Sequence, residues 1–206
     1  MTRYIPSRGP DTYIPNNATE SSVSKSGVYS LNLHRQPAQI SLASLSYLFT
    51  QMLSHTFTTS KTLPAVERRL NSMGYSIGIK YLELTSLRSN FTHSIQSSKS
   101  STAVKFINVV DLLHFITTVF WQSLFGKNAD GLEMSEDKQG QYMIIERDPL
   151  FTRYIDVPRE YQGLNCEAFV SGIVEGAMDA AGFPCECSAH EVEDRCVYLV
   201  RLSGQH

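Results

Sequence analysis

Leu164-Asn-Cys-Glu-Ala-Phe-Val-Ser-Gly-Ile-Val-Glu-Gly-Ala-Met-Asp-Ala-Ala-Gly-Phe-Pro184 decides the fold, because it spells out a complete helix with a start, two faces and a stop. Asn165 is placed to cap the first turn by accepting a hydrogen bond from an otherwise unpaired N–H. Cys166, Phe169, Val170, Ile173, Ala177 and Ala181 recur at intervals of three and four, the spacing of a buried stripe. Glu167 and Glu175 read as the solvent side. Gly172 and Gly176 stand one turn apart, although each costs about 1 kcal/mol of helix propensity relative to Ala. A helix that carries both is expected to let another backbone pass close, either the sheet or the apolar 105–125 segment. Gly182 follows the last periodic residue as a C′ glycine, and Pro184 prevents continuation. The stretch holds no nucleophile–base pair, phosphate loop or metal quartet. It is a packing element, and it points to a protein that works by contact.

Working outward, two amphipathic helices are predicted upstream. Ser41 to Thr59 carries Leu42, Leu45, Leu48, Phe49, Met52 and Leu53 as a broad apolar stripe. The second follows Thr62, an N-cap, with Pro64 in the first turn. Its Leu63, Val66, Leu70, Met73 and Ile77 step by three and four, and the pattern runs on through Tyr81 and Leu84. Gly74 and Gly78 again lie one turn apart. Both stripes are wider than one contact surface needs, so Leu45, Phe49, Met52, Leu70 and Ile77 are expected to face a partner protein or the adjoining core. Residues 89–103 form a Ser-rich break and read as a mobile loop. Lys105 to Phe125 is apolar on nearly every side, but Asn108, Asp111, His114 and Gln122 argue against a membrane span. A central helix buried by its neighbours fits better, with Gly126 as its C-cap. Phe125-Gly-Lys-Asn128 is not a phosphate loop, since no strand precedes it. Tyr142–Ile145 reads as a strand, and so do runs around Glu186–Val192 and Cys196–Leu202. The predicted class is α+β, four main helices on a small antiparallel sheet. Residues 1–38, rich in Ser, Asn and Pro, read as a flexible arm in which Tyr4-Ile-Pro6 recurs as Tyr13-Ile-Pro15. Residues 39–206 form a single domain.

Charge is nearly balanced, 18 basic against 20 acidic residues for a net −2. No basic stripe favours nucleic acid, and no polybasic run favours an anionic membrane. No apolar h-region follows Met1, and the four cysteines all lie after residue 165, so a reducing compartment is expected.

Five constellations bear on chemistry or ligand binding. Cys185, Cys187, His190 and Cys196 give a C-x-C-x2-H-x8-C spacing with no zinc knuckle, which buried small residues explain better. Cys166 at a helix start has the position of an activated thiol, but no base or oxyanion motif flanks it. Asp111 and His114 are one turn apart and placed to pair. Glu146 and Arg147 read as a salt-bridged strand edge. Phe106, Phe115, Phe120 and Trp121 suit the lining of an apolar ligand channel, the rival reading to assembly. No catalytic, cofactor-binding or metal residue is expected.

Trp121-Gln-Ser-Leu-Phe-Gly-Lys-Asn-Ala-Asp-Gly-Leu-Glu133, Tyr142-Met-Ile-Ile-Glu-Arg-Asp-Pro-Leu150, Tyr154-Ile-Asp-Val-Pro-Arg-Glu160 and Leu164-Asn-Cys-Glu-Ala-Phe169 with Gly182-Phe-Pro184 occur in this order. Together they resemble the subunit 5 family of the TRAPP vesicle-tethering complex, over about residues 40–202. The resemblance implies a small twisted antiparallel sheet packed on helices. It also implies an architectural subunit without catalysis of its own, bound to paralogous core subunits. The implied assembly tethers vesicles in ER-to-Golgi and Golgi traffic and exchanges guanine nucleotide on a Rab GTPase. Its implied place is the cytoplasm, peripheral at cis-Golgi and endoplasmic reticulum membranes through the complex. A paralogous core subunit carries an acyl chain on an early cysteine; here no cysteine precedes Cys166, so that modification does not transfer. The acyl-chain-binding module remains the alternative.

Overall fold

The computed structural model describes residues 40–60, 62–96, 106–135, 140–157, 159–161, 163–193 and 195–203. The arm at 1–38 and the second half of the Ser-rich stretch lie outside them. Two helices lead, α1 (Leu42–Thr59) and α2 (Leu63–Gln96). Pro64 falls in the first turn of α2, where its missing N–H costs nothing, and Thr62 O accepts from Ala65 N and Val66 N. Contrary to expectation, α2 does not stop near Leu84 but continues through residues 89–96. No Gly or Pro stands between Gly78 and Gln96 to break it. The serines ride on the helix by folding their hydroxyls back, Ser86 on to Glu83 O and Ser89 on to Thr85 O.

The third helical stretch is α3 (Val109–Phe115), a π-helical turn (Ile116–Phe120) and α4 (Trp121–Phe125), joined end to end. Where the ladder widens, the Thr117 hydroxyl bonds Leu113 O at 2.9 Å and the Thr118 hydroxyl bonds His114 O at 2.6 Å. Gly126, at φ 78°, ends it. The expectation of burial on all sides is corrected. Leu112, Leu113, Ile116, Phe120 and Trp121 face the core, but Ile107 is 81 % exposed, Val110 45 % and Val119 42 %.

The sheet is antiparallel throughout, in the order β1 (Gly131–Met134), β2 (Gln141–Glu146), β4 (Arg195–Leu202), β3 (Cys185–Val192). β1 was not expected; four residues are too few for alternation to register. Ile144, Cys185, Cys187, Tyr198 and Val200 point to the core. α5 (Ala168–Ala180) lies on β3 and is covered in turn by α2. The architecture is therefore α+β, a four-stranded antiparallel sheet packed on helices. Tyr81 meets Phe120 edge-on at 5.4 Å between ring centroids, and Trp121 meets Tyr198 at 5.6 Å, which fixes the third helical stretch between α2 and the sheet.

Candidate partner surfaces and the network beneath them

α2 and α5 touch backbone to backbone. A Cβ added at Gly74 would overlap Phe169 O, and one at Gly78 would overlap Ile173 O. Conversely, a Cβ at Gly172 would overlap Asn71 O, and one at Gly176 would overlap Tyr75 O. The paired numbers rise together, so the two helices run parallel. The two glycine pairs seen in the sequence are halves of one crossing. Their partner is α2, not the sheet or the 105–125 segment. Polar side chains rim the contact: Asn71 Nδ2 donates to Glu175 Oε2 at 3.1 Å, and the Tyr75 hydroxyl donates to Asp179. Gly182, at φ 89°, closes α5, its N–H on Asp179 O and the Phe183 N–H on Met178 O.

The entry to α5 differs from the expected cap. The helix begins at Ala168, three residues after Asn165. Asn165 Oδ1 accepts from Glu167 N at 3.0 Å, its Nδ2 donates to Ala189 O at 2.6 Å, and its backbone N–H donates to Glu67 Oε1 at 2.9 Å. One residue so ties the turn before α5 to β3 and to α2. Glu167 is not on a solvent face: it is 5 % exposed and accepts from the Thr152 hydroxyl at 2.6 Å and the Tyr198 hydroxyl at 2.7 Å. Burial pushes its pKa up, against those two hydrogen bonds.

Glu146 is likewise no edge residue. β2 lies inside the sheet, and Glu146 is 2 % exposed, bonded by Trp121 Nε1 at 2.9 Å and ion-paired with Lys127. Arg147 contributes its backbone N–H, which donates to Asp130 Oδ2 at 2.7 Å and holds that carboxyl below its ordinary pKa.

All four cysteines are buried free thiols. Desolvation pushes Cys166 up to about 11, Cys185 and Cys196 up to about 12, and Cys187 well above the ordinary thiol value. That is the opposite of an activated nucleophile. Among the described residues, no group of three or more His, Cys, Asp or Glu side chains is gathered to hold a metal. Exposed His190 meets Ser188 at 2.9 Å. Asp111 and His114 are both exposed, and Asp111 accepts from Asn108 instead. Phe106 meets Phe115 at a tilt, 5.0 Å between ring centroids; Phe120 and Trp121 are sealed in the core, and the space left beside Trp121 is about 10 Å3. At that spot there is room for about one water.

Of the five residues expected to face a partner or the core, two resolve inward. Phe49 is 2 % exposed, its ring 5.2 Å from Phe151 and 5.5 Å from Phe169, and Leu70 is fully buried. Leu45 and Met52 are half-buried, and Ile77 is 40 % exposed. The open apolar surface of α1 consists of residues that sequence reasoning left out or left in the general stripe. Tyr47 is 75 % exposed and Leu48 67 %, with Ile40 at 70 % just before the helix and Tyr154 at 63 % beside it. Leu42, Ala43, Ser46, Tyr47, Thr50 and Tyr154 line a groove of about 400 Å3. The inward set of α1, Phe49, Leu53 and Thr56, repeats at four and three, and that phase turns Tyr47 and Leu48 outward.

Residues 45–203 match the family model described as Transport protein particle (TRAPP) component. The chain is 36 % identical to trafficking protein particle complex subunit 5 of Dictyostelium discoideum, over 78 % of this chain and 80 % of that protein. It is 32 % identical to the human subunit 5, over 81 % and 82 %. Subunit 31 of the Saccharomyces cerevisiae complex is 29 % identical over 98 % and 86 %. The crystal structure of a subunit 3 from Naegleria fowleri, covalently bound to palmitic acid, superimposes with a TM-score of 0.63 at 19 % identity, over 79 % of this chain and 95 % of that one. That likeness carries the fold. Among the described residues, no helix is long and apolar enough to cross a membrane.

Proposed function

The chain belongs to the TRAPP component family, and from that premise we propose that it is an architectural core subunit of a TRAPP complex, bound to other TRAPP subunits. The observation that carries the contact is the exposed apolar face of α1 beside Tyr154. Tyr and Leu side chains at 63–75 % exposure around a groove are what a buried interface centre is made of. Through the assembly the subunit supports vesicle tethering in ER–Golgi and Golgi traffic and nucleotide exchange on a Rab GTPase, at the cytoplasmic side of those membranes. The subunit's own part is mechanical. The α2–α5 crossing and the two buried glutamates set the sheet and helices rigidly behind the α1 face.

The test is co-expression with the other small TRAPP subunits and purification on one of them. Tyr47→Asp with Leu48→Asp should remove this chain from the complex while leaving its own thermal midpoint near that of the parent. Stoichiometric recovery of the double variant would show that the partner sits elsewhere.

A further inference from the structure

The segment after Asp148 crosses the end of the β3–β4 hairpin and leaves a pocket of about 560 Å3. Its floor is Glu167, with Cys166 and Cys196 beside it; these are 5 %, 5 % and 6 % exposed. Ile155, Val157 and Leu164 form an apolar wall. Glu191 stands exposed in the lining with Arg195.

The described lining of this pocket carries two glutamates and one arginine. Glu167 has two hydroxyl partners, Thr152 and Tyr198, and among the described residues no cation within ion-pair distance. The other buried carboxylate, Glu146, has Lys127. Arg195 is the cation of the described lining, and its guanidinium is turned to Glu193 at 3.3 Å. Glu67 adds a further carboxylate behind the wall, where it accepts the Asn165 N–H. A cation brought to a carboxyl this deep would favour its charged form, which burial alone disfavours.

We propose that this pocket receives the basic side chain of a partner protein, its methylene stem along Ile155, Val157 and Leu164 and its cationic head between Glu167 and Glu191. The proposal rests on the assembly reading above and names one feature of the partner that assembly would bring. The apolar wall suits the stem of Arg or Lys, which packs on apolar surface while its head seeks charge. The anionic floor and mouth suit the head, and a charge-assisted hydrogen bond to carboxylate is among the stronger polar contacts available. The volume lies within the roughly 300–1,000 Å3 of ligand pockets, enough for one such side chain with its flanking backbone. An anionic group such as a phosphate is disfavoured by the same charges.

The full chain is titrated with Nα-acetyl-arginine amide and, in parallel, with the neutral isostere Nα-acetyl-citrulline amide, following amide shifts of Ile155, Val157 and Cys166 by NMR. The arginine probe should saturate. The citrulline probe should bind at least about tenfold more weakly, the loss expected when one charge-assisted group is removed. Glu191→Arg, at an exposed position that leaves the fold intact, should weaken the arginine probe, and Val157→Trp should fill the pocket and abolish the shifts. A flat titration, or equal binding of the two probes, overturns the assignment. In the complex with other TRAPP subunits the pocket should already be filled and the probe shifts absent. Unchanged probe binding by the complex overturns a partner side chain as the occupant. The α1 double variant reads the assembly and the free-chain titration reads the pocket, so the two ideas fail separately.

Discussion

Where α2 and α5 cross, single residues decide whether the two backbones can meet. Gly176 is the plainest case. Replacing it with Ala raises helix propensity by about 1 kcal/mol, but the new Cβ would occupy the space of Tyr75 O. Backbone cannot swing aside as a side-chain tip can, so Gly176→Ala should destabilise, and Gly176→Leu should cost on the order of 1–3 kcal/mol or more. Thermal unfolding checks it; an unchanged midpoint would mean that the helices are not in contact there. Glu167 offers a test by pH. Its folded pKa is raised above the ordinary 4.5, with burial the leading cause, so the native state binds its proton more tightly than the unfolded state. The stability from this group is fully present below pH 4.5 and is lost as pH rises through the folded value. In Glu167→Gln the stability difference from the parent should shift in the variant's favour over that window, measured by denaturant unfolding at a series of pH values. A constant difference would place the group in water. The thiols carry a third expectation. With pKa values pushed to about 11 and about 12 for Cys166 and Cys185, neutral-pH alkylation of the folded chain should be far slower than that of the chain in denaturant. Rapid labelling of Cys166 in the native state would revive a thiol chemistry that its burial argues against.

Elements show which parts of this architecture could be read from letters. Residues 168–180 announced themselves through a stripe, a glycine pair and a stop, because each signal is local and physical. The partner of that glycine pair was not legible, although Gly74 and Gly78 carried the same spacing. Pairing two distant helices is a tertiary fact that neither periodicity contains. The buried acids misled for a similar reason. Glu167 and Glu146 look like surface residues until Tyr198, Thr152, Trp121 and Lys127, drawn from three other stretches of chain, converge on them. The Ser-rich run misled in the other direction, since a polar composition without Gly or Pro permits helix as readily as loop. For α1 the sequence displayed one broad stripe where the fold uses two faces. Neighbouring residues therefore predict opposite phenotypes. Phe49→Ala should cost about 3–5 kcal/mol, a core aromatic lost from contact with Phe151 and Phe169. Leu48→Ala should leave stability within about 0.5 kcal/mol, as for other surface substitutions, yet weaken partner binding. Paired melting and co-purification measurements separate the two, and a matching loss of stability in both would mean that α1 has a single buried side.

At the scale of the whole molecule, an assembly subunit must offer surface on more than one side while its interior stays rigid. The exposed face of α1 is the candidate for one such side. Another is the outer face of the sheet, where Met143, Ile145, Val197 and Leu199 remain half-buried and lie next to one another in register, Met143 opposite Leu199 and Ile145 opposite Val197. Among the described residues, the buried glutamates and thiols between these faces serve cohesion. Glu146 holds Trp121 and Lys127, Glu167 holds Tyr198 and Thr152, and the four thiols are buried and protonated. On the proposed architectural reading, the molecule contributes by position. If so, the isolated chain added in catalytic amounts should leave the rate of nucleotide release from a Rab GTPase at its spontaneous value. The same chain within a reconstituted complex should be required for acceleration. The exchange assay is run with the chain alone, the complex lacking it, and the complete complex. Acceleration by the chain alone would assign it a catalytic surface that its inward-turned polar groups do not suggest. A complete complex no faster than the one lacking it would remove the architectural role in exchange.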